Sequence, residues 1–152
     1  MSRIRVLIAD PDEALLASYR EYLSNYGFIV STVRTALDCS THLAGFGPDV
    51  LVLDPELPWG WGDGVLARMH EDPDMPVVPV MVLSSAHDLE LLYRVFQFPV
   101  NDFELKPVEP SLLAQRLRRL VDSNPNRDRG NGRIHSSSTA SWGNPLSKTT
   151  LS

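Results

Sequence analysis

Four residues of this sequence close four runs that read as strands, three of them wholly apolar. Asp10 follows Val6-Leu7-Ile8-Ala9, Asp54 follows Val50-Leu51-Val52-Leu53, Ser84 follows Val80-Met81-Val82-Leu83, and Lys106 follows Asn101-Asp102-Phe103-Glu104-Leu105. Two carboxylates, a hydroxyl and an ammonium form a chemically coherent set. They suit the transfer of a phosphoryl group to a carboxylate. A carboxylate that attacks phosphorus approaches a centre ringed by negative oxygens, so it needs a divalent cation and a fixed ammonium close by. Asp54 is the candidate nucleophile, because the run before it is apolar at every position and fixes its carboxylate at a sheet edge. Lys106, just before Pro107, can neutralise the incoming oxygens or pair with Asp54 at rest. Ser84 can give the same oxygens a hydrogen bond. Magnesium takes six oxygen ligands, usually one or two carboxylates with waters and phosphate oxygens, and Asp10 and Asp54 can supply the carboxylates. Each residue also has a plainer reading: Asp10 or Asp12 as a helix cap, Lys106 as a solvated surface lysine. The joint placement of all four at run ends argues for the chemistry.

The elements that position them alternate. Ile4 to Ala9 reads as a strand, and Leu15, Tyr19, Leu23 and Tyr26 follow at helical spacing up to Gly27. Phe28-Ile29-Val30 predicts a second strand, and Ala36, Ser40, Leu43 and Ala44 a helix that stops at Gly45-Phe46-Gly47-Pro48. Val50 to Leu53 predicts a central strand. A turn-rich loop runs from Pro55 to Asp63, and Val65, Leu66 and Met69 mark a third helix. Val78 to Leu83 gives a fourth strand, Leu89 to Phe96 a fourth helix, Asn101 to Leu105 a fifth strand, and Leu113, Leu117 and Leu120 a fifth helix entered through Pro110. Such alternation predicts a parallel sheet with helices on both faces, and ligands outside the carboxyl ends of its strands.

Composition limits the rest. The chain has 152 residues, 43% hydrophobic and 22% charged, enough for one domain over residues 1–122. The polar stretch 123–152, rich in Ser, Asn, Gly and Thr, is expected to be a disordered tail that builds no output domain. Residues 1–122 hold 10 Lys and Arg against 18 Asp and Glu, whereas the tail holds 4 against 1. An acidic body argues against nucleic-acid binding, which draws on Lys and Arg. No run approaches the roughly 20 apolar residues of a membrane span, and no signal peptide is legible, so a cytoplasmic location is expected. A single cysteine, Cys39, excludes an internal disulfide and a cysteine metal cage.

Val6 to Asp10, Asp49 to Asp54 with Leu57-Pro58 and Asp63-Gly64, Val80 to Ser85, and Asp102-Phe103-Glu104-Leu105-Lys106-Pro107 together resemble the receiver domain of two-component response regulators. The resemblance spans residue 3 to about residue 122. It implies a flavodoxin-like (βα)5 three-layer α/β sandwich with a five-stranded parallel sheet of order 2-1-3-4-5. It implies that Asp54 accepts a phosphoryl group from a histidine kinase or phosphotransfer protein. It further implies that Asp10, Asp54 and the backbone carbonyl of Glu56 hold magnesium, and that Ser84 and Lys106 contact the phosphoryl group. Lys106-Pro107 would carry the family's cis bond, and Phe103 would be the switch aromatic, its plainer reading being core packing.

The sequence departs from that pattern in three places. Receivers usually have two adjacent acids where this chain has Asp10-Pro11, and the next acid, Asp12, has a different side-chain direction and is a weak substitute. Losing one negative ligand is expected to weaken magnesium binding. The loop Leu57 to Gly64 is longer than usual and carries Trp59 and Trp61, read either as a shield for the sheet edge or as a partner-docking surface. Phe96-Gln97-Phe98-Pro99-Val100 replaces the small residues usual there and adds bulk to the face of the fourth helix.

Three functions follow for comparison. The first is a stand-alone phosphorylatable receiver in a phosphorelay, signalling to a downstream protein through contacts rather than acting as an enzyme. The second is a pseudo-receiver that binds partners without phosphorylation, which Pro11 favours and intact Asp54, Ser84 and Lys106 oppose. The third, a flavodoxin-like enzyme or nucleotide-binding protein, is the weakest, because Asp10-Pro11-Asp12-Glu13 lacks the glycines that cradle a phosphate.

Overall fold

The computed structural model describes residues 3–85 and 87–125. Five strands and five helices alternate: β1 (Ile4–Ala9), α1 (Glu13–Ser24), β2 (Phe28–Val33), α2 (Ala36–Phe46), β3 (Val50–Leu53), α3 (Trp61–Glu71), β4 (Val80–Ser84), α4 (Leu89–Val95), β5 (Asp102–Leu105) and α5 (Pro110–Asp122). All strand pairs are parallel, and the sheet order is β2-β1-β3-β4-β5. This is the three-layer α/β architecture that the alternation predicts.

Strand periodicity sorts the core onto two faces. Val6, Ile8, Val50, Val52, Met81 and Leu83 pack under α1 and α5, against Leu16, Tyr19, Leu23, Leu113 and Leu117. Leu7, Ala9, Leu51, Leu53, Val80 and Val82 pack under α2, α3 and α4, against Cys39, Leu43, Leu66, Met69, Leu91 and Val95. Each fully buried Val or Leu contributes about 2 kcal/mol, and a slip of one residue would turn every side chain to the opposite face. The apolar strands therefore lock the register that fixes the residue after each of them.

Element ends differ from the sequence reading where glycine conformation decides. Within the stretch expected to stop α2, the helix runs to Phe46 and is ended by Gly47, which is left-handed at φ 67°. β2 extends past Val30 to Val33, while β4 begins only at Val80, after Pro79. α3 starts at Trp61 rather than beyond Asp63. Gly62 permits that early start, since a Cβ there would lie 2.7 Å from the Pro55 Cα and 3.2 Å from the Asp54 carbonyl oxygen. The first turn of α3 is thus seated on the backbone of the candidate nucleophile. The tail expected over 123–152 lies, from residue 126 onward, outside the described residues. Among the described residues, no helix is long and apolar enough to cross a membrane.

Gly62→Ala is expected to destabilise the protein by about 2 kcal/mol through backbone overpacking, read as a lower urea midpoint at unchanged m-value. An unchanged midpoint would show that the β3–α3 turn yields.

Candidate functional site

The hydrogen-bond ladder runs up to each candidate residue. The Asp10 amide donates to the Val33 carbonyl at 3.0 Å, the Asp54 amide to the Ala9 carbonyl at 2.9 Å, and the Lys106 amide to the Ser84 carbonyl at 2.8 Å. These residues are anchored as strand continuations rather than carried on free loops. Asp10 and Asp54 extend β1 and β3, the neighbouring strands at which the chain order reverses. That reversal opens the crevice in which sheets of this kind bind ligands.

Within the crevice the Lys106 ammonium joins both acids. Its Nζ lies 2.7 Å from Asp10 Oδ2 and 2.6 Å from Asp54 Oδ2. All three side chains are largely withdrawn from solvent. The remaining oxygens are held by backbone: Asp10 Oδ1 accepts from the Asp12 amide at 2.9 Å, and Asp54 Oδ1 from the Glu56 amide at 2.7 Å. Ser84, also buried, ends β4 beside Leu105, in register with the residue before Lys106. The structure thus brings Asp10, Asp54, Ser84, Lys106 and the Glu56 backbone to one edge.

One ammonium shared by two buried carboxylates leaves a negative charge in excess. Burial pushes the Asp10 carboxyl above its usual range, against the hydrogen bond from Lys106. Burial opposes the charge on Lys106, but hydrogen bonds to Asp10 and Asp54 raise its ammonium above the ordinary lysine value. The plainer reading of Lys106 as a solvated lysine therefore fails.

For Asp12 the plainer reading is correct. Its Oδ1 caps α1, accepting from the Ala14 amide at 3.0 Å and the Leu15 amide at 3.2 Å, and it is exposed. Among the described residues, no group of three or more His, Cys, Asp or Glu side chains is gathered to hold a metal. The Asp10 and Asp54 pair nevertheless fits magnesium in its chemistry: hard oxygen donors, both buried, converging on a point where they already neutralise a cation.

The remaining residues lie around this edge. Phe103 is half-buried against the α2–α4 face, with its ring edge-on to Phe96 at 5.3 Å, so part of the bulk between 96 and 100 packs against it. Lys106-Pro107 is cis. Trp59 and Trp61 are 78% and 49% exposed. Both adopt left-handed backbone, at φ 59° and 61°, flanking Gly60 at φ 123°, a conformation that costs a non-glycine residue about 1 kcal/mol. The loop is held by the Ala36 amide, which donates to the Pro58 carbonyl at 2.9 Å. Cys39 is buried, and burial pushes its thiol up to about 12, which leaves it inert.

Sequence reasoning missed the role of Tyr19. Its spacing marked it only as an apolar-face residue of α1, but its hydroxyl donates to the Val108 carbonyl at 2.7 Å, beyond the cis bond. Proximity of a polar tip to a loop 89 residues away leaves no trace in local spacing.

A five-stranded parallel sheet of this order, with two acids and a lysine at the carboxyl ends of β1, β3 and β5, defines the receiver class of fold. Residues 6–118 match the response regulator receiver domain model, and the chain belongs to that family. It is 33% identical over 117 residues to protein RcaC of Microchaete diplosiphon, an alignment that covers 76% of this chain but 18% of that protein. The fold is shared with the signal receiver domain of a putative Luxo repressor protein from Vibrio parahaemolyticus, with TM-score 0.73, 23% identity, and coverage of 86% of this chain and 99% of that one. It is also shared with the receiver domain of a sensor histidine kinase from Pseudomonas aeruginosa PAO1, described with a magnesium ion coordinated in its active site cleft. That match has TM-score 0.72 and 18% identity, covering 80% of this chain and 100% of the other.

Asp10 generates a prediction on stability. Its folded value stands above the 3.8 of an ordinary aspartate, so its contribution is favourable below that pH and is lost as pH rises through the folded value. At neutral pH the ionised carboxylate is a net cost. Asp10→Asn is expected to raise Tm by about 3 °C at neutral pH, with the gain fading below the pH at which both states are protonated. Calorimetry across the acid range checks this, and an equal or lower Tm at neutral pH would contradict it.

Proposed function

We propose that this chain is a phosphoacceptor switch of two-component signalling, with Asp54 the residue that takes the phosphoryl group. The observation that carries the reading is the Lys106 ammonium, held at 2.6 Å from a buried Asp54 carboxylate at a strand end. Asp54 attacks the phosphorus of a phosphohistidine on a histidine kinase or phosphotransfer protein. The P–N bond breaks, the imidazole leaves with its electron pair, and an acyl phosphate remains on Asp54. Lys106 moves its hydrogen bond from Asp54 Oδ2 to a phosphoryl oxygen, and the Ser84 hydroxyl donates to another. Asp10 and Asp54, with the Glu56 carbonyl, would hold magnesium, which when bound neutralises charge on the transferring group.

Pro11 leaves that metal one carboxylate short of the family pattern, and Asp12 is committed to capping α1. We therefore expect weak magnesium binding in this chain. Phosphorylation replaces the Lys106 bridge and shifts the population toward a state in which Ser84 and Phe103 move together. Phe103 would act through Phe96, the cap that follows α4, so that the signal passes by protein contact to a downstream partner in the cytoplasm. The chain acts as a receiver of charge rather than as an enzyme on a diffusing substrate. The second reading, a partner-binding pseudo-receiver without phosphorylation, is favoured by one observation, the absence of an acid at Pro11.

Tryptophan fluorescence distinguishes the two, because Trp59 lies in the loop after Asp54 and Trp61 opens α3. Titration with magnesium and then beryllofluoride, a mimic of the acyl phosphate, is expected to give a saturable change that needs both ions and vanishes in Asp54→Asn. Pro11→Asp is expected to tighten magnesium by about tenfold. No response of the wild type at millimolar magnesium would leave the pseudo-receiver.

A further inference from the structure

Three residues of α1, Leu16, Tyr19 and Leu23, face the sheet as its buried stripe. Two of them are purely apolar, whereas Tyr19 carries a hydroxyl into the interior, and a buried tyrosine hydroxyl needs a partner. That partner is the Val108 carbonyl at 2.7 Å. Burial holds the Tyr19 phenol above its usual range, against the pull of the Lys106 charge, so it remains a protonated donor. The bond joins α1 to the segment that follows β5. There the sheet ladder ends with the Lys106 amide on the Ser84 carbonyl, and two residues later the Val108 carbonyl takes the Tyr19 hydroxyl.

Alongside this bond, α1 and the loop are separated by an open cleft of about 380 Å³, with Leu15 and Ser18 on the helix side and Pro107 and Pro110 on the loop side. The Val108 side chain packs into the same buried cluster as Leu16, Tyr19 and Leu23, and beside the cleft the Tyr19 hydroxyl bond fixes its backbone carbonyl against α1. The ammonium at the end of that backbone must meet two oxygens at 2.6 and 2.7 Å, a tolerance that a supporting bond has to guarantee.

We propose that Tyr19 is a positioning residue of the phosphoacceptor site: its hydrogen bond to the Val108 carbonyl holds the loop after β5 so that Lys106 reaches Asp54 and the phosphoryl oxygens. This rests on the phosphoacceptor reading of Asp54. The Tyr19 hydroxyl bonds the Val108 carbonyl rather than either carboxylate, and acts on the site through the loop that carries Lys106. Tyr19→Phe keeps the ring in the core and frees the carbonyl to take water from the cleft, so the fold is retained while the tether is lost.

The consequence is a split between two affinities. Lys106 contacts the phosphoryl mimic, whereas Asp10 and Asp54 hold the cation. The full chain is titrated with magnesium alone, and with beryllofluoride at saturating magnesium, as wild type, Tyr19→Phe and Tyr22→Phe, the last altering an α1 tyrosine that stacks on Tyr26 instead. Tyr19→Phe is expected to weaken beryllofluoride by roughly three- to tenfold, the equivalent of one net hydrogen bond, with magnesium bound no more weakly, since a loosened Lys106 competes less for Asp10 and Asp54. Tyr22→Phe is expected to move neither. Equal beryllofluoride affinity in wild type and Tyr19→Phe overturns the proposal, as does a parallel loss for both ions, which marks a structural role only. A wild type silent to beryllofluoride overturns the phosphoacceptor reading and this proposal with it, and is distinguishable from a responding wild type matched by its variant.

Discussion

The site depends on one ammonium serving two carboxylates. Lys106 bridges Asp10 and Asp54 across the ends of β1, β3 and β5, and the two carboxylates would not be tolerated in the same burial without it. Removing the ammonium leaves both acids uncompensated, a cost of several kcal/mol. The arrangement is also incomplete as a charge balance, since two negative charges face one positive. That deficit makes the crevice receptive to a further cation, and the mobility of a lysine side chain makes its bridge exchangeable for a phosphoryl oxygen. Stability and function pull in opposite directions at this edge, as they do where a site is kept poised rather than optimised.

Everything beneath the site serves to hold those three atoms within hydrogen-bond range. β3 is short, only Val50 to Leu53, but each of its residues is buried and their alternate faces are locked under different helices. Asp54 therefore cannot retreat into the sheet without exposing its apolar set. Gly62 seats α3 against the backbone of Asp54 and Pro55, and the next residue, Asp63, pairs with Arg94 of α4 at 3.0 Å. A path of direct contacts thus leads from Asp54 to α4. On the far side of β5, Arg116 of α5 ties Asp102 and Glu104 together, fixing the strand that delivers Lys106.

Much of this was legible in the residues themselves. Strand and helix alternation is a local signal, and the polar residues ending the apolar runs could be read without knowing how the strands pair. Three things were not legible, for physical reasons. Asp12 was ambiguous because the same side chain can cap a helix or face a metal, and only the entry angle of α1 decides. The start of α3 was misjudged because Trp61, Gly62 and Asp63 read as turn residues, whereas close seating on Pro55 draws them into the helix. Tyr19 was placed in the core by its spacing, but its hydroxyl is satisfied across 89 residues. Long-range satisfaction of buried polar groups is the information that local periodicity does not carry.

We propose that the carboxylate bridged by Lys106 is chemically competent as a phosphoryl acceptor despite Pro11. Incubation of the full chain with acetyl phosphate and magnesium, followed by intact-mass measurement and peptide mapping, tests it without any assumption about the natural donor. The gain of a single phosphoryl group is expected, located at Asp54 and absent from Asp54→Asn. A chain that gains no phosphate at millimolar magnesium, or gains it at a residue other than Asp54, would contradict it.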